Sequence, residues 1–153
     1  MAASRGSDAD VHADYRLVLG PPPLADYLHL RRAAGLTPAT EEQGRAGLHG
    51  AWAACHVVHE SGTVVGMGRV LGDGGWYFHV IDMAVLPEHQ RRGIGDAVLT
   101  ALLDTIRRDA PPGAWVNLLA DAPGRRLYER HGFTQTAPES LGMGLALDDT
   151  VDR

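Results

Sequence analysis

The sequence predicts a mixed α/β fold, a central sheet of about six to seven strands flanked by about four helices, on three observations. Three apolar stretches between residues 52 and 86 are separated by glycine-containing turns, the pattern of an antiparallel meander. The apolar period changes to that of a helix from Gly95 onward. A further strand signal follows that helix. A strand, a crossover helix and a strand place a parallel pair inside the otherwise antiparallel sheet.

Taken in order, Tyr15 to Leu19 reads as a short strand, ended by Pro21-Pro22-Pro23. Leu24 to Ala34 carries Leu24, Tyr27, Leu28 and Leu30 at helical spacing, with Gly35 as its stop. Thr40 is placed to cap a second helix, Glu41 to Leu48, whose first acidic residues suit the positive end of the helix dipole. The meander strands are Trp52 to Glu60, Thr63 to Leu71 and Trp76 to Leu86. Gly95 to Asp109 sets Val98, Leu99, Leu102, Leu103 and Ile106 on one helical face. Ala114 to Ala120 is the next strand, Gly124 to His131 a short helix, and Phe133 to Thr136 and Leu141 to Leu147 a final strand pair.

A chain of 153 residues suits one domain, expected over residues 15–148, with a polar leader at 1–14 and a tail at 149–153. The leader lacks the apolar segment of a signal peptide, and no apolar run reaches the roughly 20 residues that span a bilayer. A cytoplasmic protein without a membrane partner is therefore expected. The net charge of -5 argues against a non-specific nucleic-acid binder, which would present a basic face. Cys55 is the single cysteine, so no internal disulfide can form, and its apolar neighbours mark a buried strand thiol rather than a nucleophile. His56, His59 and His89 show no spacing typical of metal ligands, so no metal is expected, and His89 is expected in an exposed loop.

The segment Gln90-Arg91-Arg92-Gly93-Ile94-Gly95 lies between a long strand and a long amphipathic helix. The first turn of a helix offers unpaired N–H groups and partial positive charge, and glycines let a ligand come close. Such a turn can hold a pyrophosphate, with Arg91 and Arg92 at its rim. No Gly-Lys-Ser/Thr follows, and the three-glycine dinucleotide spacing is absent, which weighs against an ATP or dinucleotide loop.

Asp82-Met83-Ala84-Val85-Leu86-Pro87-Glu88-His89 followed by Gln90 to Gly95 resembles the acyl-CoA signature of the GNAT superfamily of N-acetyltransferases. About thirty residues later Leu127-Tyr128-Glu129-Arg130-His131-Gly132-Phe133 resembles the same family's Leu-Tyr-Glu-Lys-x-Gly-Phe segment. The resemblance runs from about Tyr15 to Leu147. It implies a twisted sheet whose two parallel strands splay apart to hold acyl-CoA, with acetyl-CoA as co-substrate. It further implies that Met83, Ala84 and Val85 line the pantetheine arm. The N–H groups of Arg92, Gly93, Ile94, Gly95 and Asp96 would hold the pyrophosphate. Leu127 and Tyr128 would lie beside the thioester. Where many members carry Asn and Ala, this chain has Asp121 and Gly124, and an ionised Asp can only accept hydrogen bonds.

The implied reaction is direct attack by a primary amine without an acyl-enzyme. Tyr128 matches the family's frequent general acid, the alternative being a packing role. His79 sits on the long strand with Ile81 and Met83 at alternate positions, so simple alternation places all three on one face. An imidazole titrates near neutrality and suits the base; Asp82 or ordered water are the other candidates. Asp82 falls on the opposite face unless a bulge intervenes. Tyr27, Leu28, Arg31 and Trp52, with Met143 across from them, are expected around a small-molecule amine acceptor. A homodimer is compatible with this reading. The competing readings are a non-catalytic acyl-CoA-binding module and an acetyltransferase acting on proteins or peptides.

Overall fold

The computed structural model describes residues 12–147, so most of the expected leader and the tail lie outside the described residues. His12 to Asp14, assigned to the leader by sequence, form a turn closed by a hydrogen bond from Tyr15 N to His12 O of 2.9 Å. The described residues fall into two compact units that divide between Leu118 and Leu119.

The first unit is built on a five-stranded sheet in sequential order: β1 (Tyr15–Leu19), β2 (Ala53–His59), β3 (Val64–Gly72), β4 (Tyr77–Val85) and β5 (Trp115–Asn117). Neighbours from β1 to β4 run antiparallel, and β4 and β5 run parallel. Helix α1 (Leu24–Ala33) and helix α2 (Glu41–His49) connect β1 to β2, and α3 (Ile94–Asp109) is the crossover from β4 to β5. Thr40 caps α2 as expected, in a full capping box with Gln43.

Helix α3 lies on one face of the sheet through Val98, Leu99 and Leu102, each at most 1% exposed. Its close approach depends on two glycines of β3. A Cβ on Gly68 would stand 2.7 Å from both Met83 Sδ and a Val98 methyl, and one on Gly66 would stand 2.6 Å from an Ile94 methyl. Helix α1 covers the opposite face, where Tyr27 and Leu30 are buried. The buried side chains Val57, Val65, Met67, Val70 and Phe78 complete the core, each contributing about 1.5–3 kcal/mol of transfer free energy.

The second unit holds a 3-10 turn at Ala122–Gly124 and helix α4 (Arg125–Arg130). The expected strands at Phe133 to Thr136 and Leu141 to Leu147 do not form among the described residues, so the sheet has five strands rather than six or seven. Leu141, Met143, Leu145 and Leu147 do alternate in the manner of a strand. A strand is defined by its ladder, however, and no partner among the described residues pairs with this run.

Candidate active site

β4 carries the first half of the site. Met67 pairs with Ala84 and Arg69 with Ile81, so Gly68 alone stands opposite Asp82 and Met83. This is a β-bulge, and Asp82 occupies it at φ 60°, a left-handed conformation that Asp tolerates better than most residues. The bulge overturns the alternation expected from sequence. Met83 turns toward α3, into the space above Gly68, whereas His79 and Ile81 share the other face with their partners Leu71 and Arg69. Asp82 joins that second face.

There Asp82 is 7% exposed and fully engaged. Tyr27 donates its hydroxyl to Oδ2 at 2.5 Å, Arg69 Nε donates to Oδ2 at 2.6 Å, and Arg31 Nη1 donates to Oδ1 at 2.5 Å. Burial alone would raise the pKa of Asp82, but the Tyr27 hydrogen bond and the two guanidinium groups override it and hold the carboxyl below its ordinary value. A carboxylate so engaged is a poor proton acceptor for an amine and serves as an anchor. The same contacts change the roles of two expected pocket residues. Tyr27 is buried, and its ring lies 5.8 Å from both the Arg31 and the Arg69 guanidinium carbons, so its cation–π partners are the protein's own. Arg31 also donates from Nε to the carbonyl of Thr37 at 2.7 Å, tying the α1–α2 connection to the bulge. Leu28 packs beneath Gly44 of α2, and Trp52 stacks edge-on against Phe78 with centroids 4.7 Å apart.

β4 and β5 pair only over Tyr77–Trp115, Phe78–Val116 and His79–Asn117. Beyond that point β4 runs on to Val85 with no strand beside it on that edge, among the described residues. The strands therefore part as the family resemblance implies, leaving a backbone edge at Met83, Ala84 and Val85 that suits an amide-bearing pantetheine. At the fork His79 Nδ1 and Asn117 Oδ1 are 2.5 Å apart.

The turn into α3 has the shape expected of an anion cradle. Arg91 (φ 62°) and Gly93 (φ 78°) both adopt left-handed conformations, and Gly93 begins α3 without a capping side chain. The first intrahelical bond is Ala97 N to Gly93 O, 3.0 Å, so the N–H groups of Ile94 and Gly95 lie ahead of the helix's own hydrogen-bond ladder. Gln90 closes the turn onto β4 by donating to the Val85 carbonyl at 3.2 Å. Ile94 is buried against β3, while Gly95 is half-buried and Asp96 exposed. Arg91 stays exposed, but Arg92 is engaged, donating to the Tyr15 hydroxyl at 2.9 Å. That hydroxyl in turn meets His89 Nδ1 at 2.8 Å. His89 is thus half-buried rather than solvent-exposed. Its pKa is lowered by burial, by His59 and by Arg92, which keeps the ring neutral and able to accept from Tyr15.

A Gly93→Val variant is expected to weaken acetyl-CoA binding at least about tenfold, or ~1.4 kcal/mol, by calorimetry. The β-branched side chain strains the left-handed backbone and projects from the turn, where it meets no protein atom within 4 Å. Unchanged affinity in a folded variant would remove the turn from the binding site.

In the second unit, Asp121 precedes the 3-10 turn and Leu127 and Tyr128 lie on α4. Tyr128 packs edge-on to Phe133, centroids 6.1 Å apart. Burial, then the Asp121 carboxylate, push its phenol pKa above the ordinary 10.0. Met143 belongs to the exposed run near the end of the described residues.

Cys55 is fully buried, and desolvation pushes its thiol up to about 12, so it is no nucleophile at neutral pH. Asp14, His59 and Glu60 bring ligand-type atoms within 4.8 Å of one another, a proximity their sequence spacing did not suggest. No described helix is long and apolar enough to cross a membrane.

The family model of the acetyltransferase (GNAT) domain matches residues 51–135, more than half of the chain. The chain belongs to the GNAT acetyltransferase family. A protein of unknown function from meticillin-resistant Staphylococcus aureus, described as a probable acetyltransferase, is 33% identical. That match covers 87% of this chain and 99% of the other, with a TM-score of 0.82. A mycothiol acetyltransferase of Geodermatophilus obscurus is 33% identical over 123 residues, 75% of this chain. The match spans only 39% of that protein's length. The glucosamine-6-phosphate N-acetyltransferase of Arabidopsis thaliana shares the GNAT fold at 18% identity and TM-score 0.65, covering 88% of this chain and 99% of that one.

Sequence reasoning singled out the Gln90 to Gly95 turn, His79 and Tyr128 of this GNAT domain, but not the contacts made by Arg69, Asn117 and Tyr15. Arg69 and Asn117 did leave a signal. Each is a polar residue inside an apolar strand, where an unpaired group is costly and a partner is expected.

Proposed function

We propose that this GNAT acetyltransferase transfers the acetyl group of acetyl-CoA to the primary amine of a small molecule by direct attack. The observation that carries the small acceptor is the bracing of the α1–α2 connection. Arg31 joins Thr37 O to Asp82 at the β4 bulge, which makes that connection a fixed wall rather than an open platform for a peptide. The turn from Gln90 to Gly95 holds the pyrophosphate, and the edge at Met83 to Val85, which no described strand covers, holds the pantetheine arm. His79 takes a proton from the amine, directly or through water. The amine nitrogen bonds to the thioester carbon, the carbon–sulfur bond breaks, and the Tyr128 hydroxyl protonates the leaving thiolate. A buried thiol at Cys55 leaves no part for an acyl-enzyme.

The fold alone does not choose the acceptor. Its neighbours include an enzyme acting on a sugar phosphate and, from Escherichia coli, a ribosomal-protein-S18-alanine N-acetyltransferase at 20% identity and TM-score 0.66. The deciding experiment is an acetyl-CoA thiol-release screen across amines, amino acids, aminosugars, polyamines and lysine-containing peptides. A small amine is expected to give the highest kcat/KM. Peptides turning over faster than every small amine would overturn this assignment.

A further inference from the structure

At the fork between β4 and β5 the side chains of His79 and Asn117 meet. Asn117 is the last residue of β5, and the register sets it directly beside His79. Its Oδ1 lies 2.5 Å from His79 Nδ1. An amide oxygen has only lone pairs, so the proton between the two atoms belongs to Nδ1. A neutral imidazole carries a single N–H. Its Nε2 is then the bare, basic nitrogen. The amide's other end, Nδ2, is buried with no hydrogen-bond partner, the one such side-chain atom among the described residues. In this arrangement it is the accepting end of Asn117 that is put to use.

We infer that Asn117 is a positioning residue that locks His79 in the Nδ1–H tautomer and so makes Nε2 the atom that takes the amine proton. The inference rests on the acetyltransferase reading for its catalytic consequence, but not for the tautomer itself. A neutral amide suits this task better than a carboxylate would. Asp in its place would fix the same tautomer but would also favour a second proton on the ring, so that the base would stay protonated up to a higher pH. The surroundings of His79 leave Asn117 in control. Its register partner on β3 is Leu71, which carries no charge. The charged group on its own strand, Asp82, is already committed to Arg31 and Arg69.

Long-range ¹H–¹⁵N correlation spectroscopy of histidine-labelled protein, with His79→Gln for assignment, reads which ring nitrogen carries the proton. Wild type should show Nδ1–H at neutral pH. Asn117→Ala should lose that bias and lower kcat about tenfold or more, with acetyl-CoA affinity unchanged. Asn117→Asp keeps the side-chain shape, should retain the Nδ1–H form and should move the acidic limb of the kcat/KM profile to higher pH. In a His79→Ala background, Asn117→Ala should cost nothing further. An Nε2–H tautomer in wild type, the signature of an amide turned the other way, would overturn the inference. So would an unmoved tautomer and pH profile in both Asn117 variants. The spectroscopic arm decides the tautomer whether or not turnover is seen. Absence of thiol release with every amine tested would count against the acetyltransferase reading instead.

Discussion

Asp82→Ala is expected to destabilise the folded chain by about 3–5 kcal/mol, the usual consequence of removing one partner from a buried ion pair. The Arg31 and Arg69 side chains that flank the carboxylate are only 15% and 12% exposed, and the Asp82 side chain 3%. Once the carboxylate is gone, two guanidinium groups and the Tyr27 hydroxyl lose their shared acceptor with little access to water. For a chain of this length the loss corresponds to a melting temperature lower by on the order of 10 °C or more.

Alanine removes two things at once, because φ 60° at this position also penalises a residue that cannot tolerate the left-handed region. Asp82→Asn separates them. Asparagine accepts that backbone conformation and keeps one acceptor oxygen, but not the charge. It should therefore fall between wild type and Asp82→Ala in chemical denaturation. The pH dependence has a fixed sign. The folded-state pKa of Asp82 is depressed, so the pair's contribution is fully present above the ordinary carboxylate value. It is lost as pH falls through the depressed one. That acid-dependent loss should vanish in Asp82→Asn. Were Asp82 the general base instead, the Asn variant would lose catalysis while its stability stayed near wild type.

The role of Asp82 shows where sequence reading stops. The elements were legible because their signals are local. Tyr15 to Leu19 and Thr40 as a cap needed only propensity and spacing, as did the start of α3 within one residue. The turn from Gln90 to Gly95 was legible for the same reason, a glycine pattern between a strand and a helix. The bulge was not, because it depends on which β3 residue stands opposite. It arises where Gly68 faces two residues and α3 fills the space above it, a relation among three elements. Without the bulge, alternation sends Asp82 away from the face it shares with His79 and Ile81. The Arg69 and Asn117 contacts depend likewise on pairing register. The residues from Leu141 to Leu147 fail in the opposite sense. Their alternation is a sound local signal for a strand, but the ladder that would make it one is not supplied by the described residues.

Tyr128→Phe is expected to lower kcat by about 10²-fold with little change in acetyl-CoA affinity, the lower end of what a general acid contributes. The substitution keeps the ring that packs on Phe133 and deletes only the hydroxyl. Burial and the Asp121 carboxylate both favour the neutral phenol, so it remains a donor throughout neutral and moderately basic pH. Any basic limb of the kcat profile below about pH 10 must then come from another group. A second variant reaches the same hydroxyl without touching it. Gly124, where many family members have Ala, leaves room for the Tyr128 ring: a Cβ there would stand 2.9 Å from ring Cε2 and 3.5 Å from the hydroxyl oxygen. The backbone at Gly124 (φ -90°, ψ -13°) accepts alanine, so Gly124→Ala acts through the contact alone. It should displace the ring and move kcat toward that of the Phe variant. In a Tyr128→Phe background the same change should add little, since the hydroxyl it displaces is already gone. Pre-steady-state kinetics without a burst would establish that chemistry limits the rate. A Phe variant running at full speed under that condition would reduce Tyr128 to a packing residue and leave proton delivery to water.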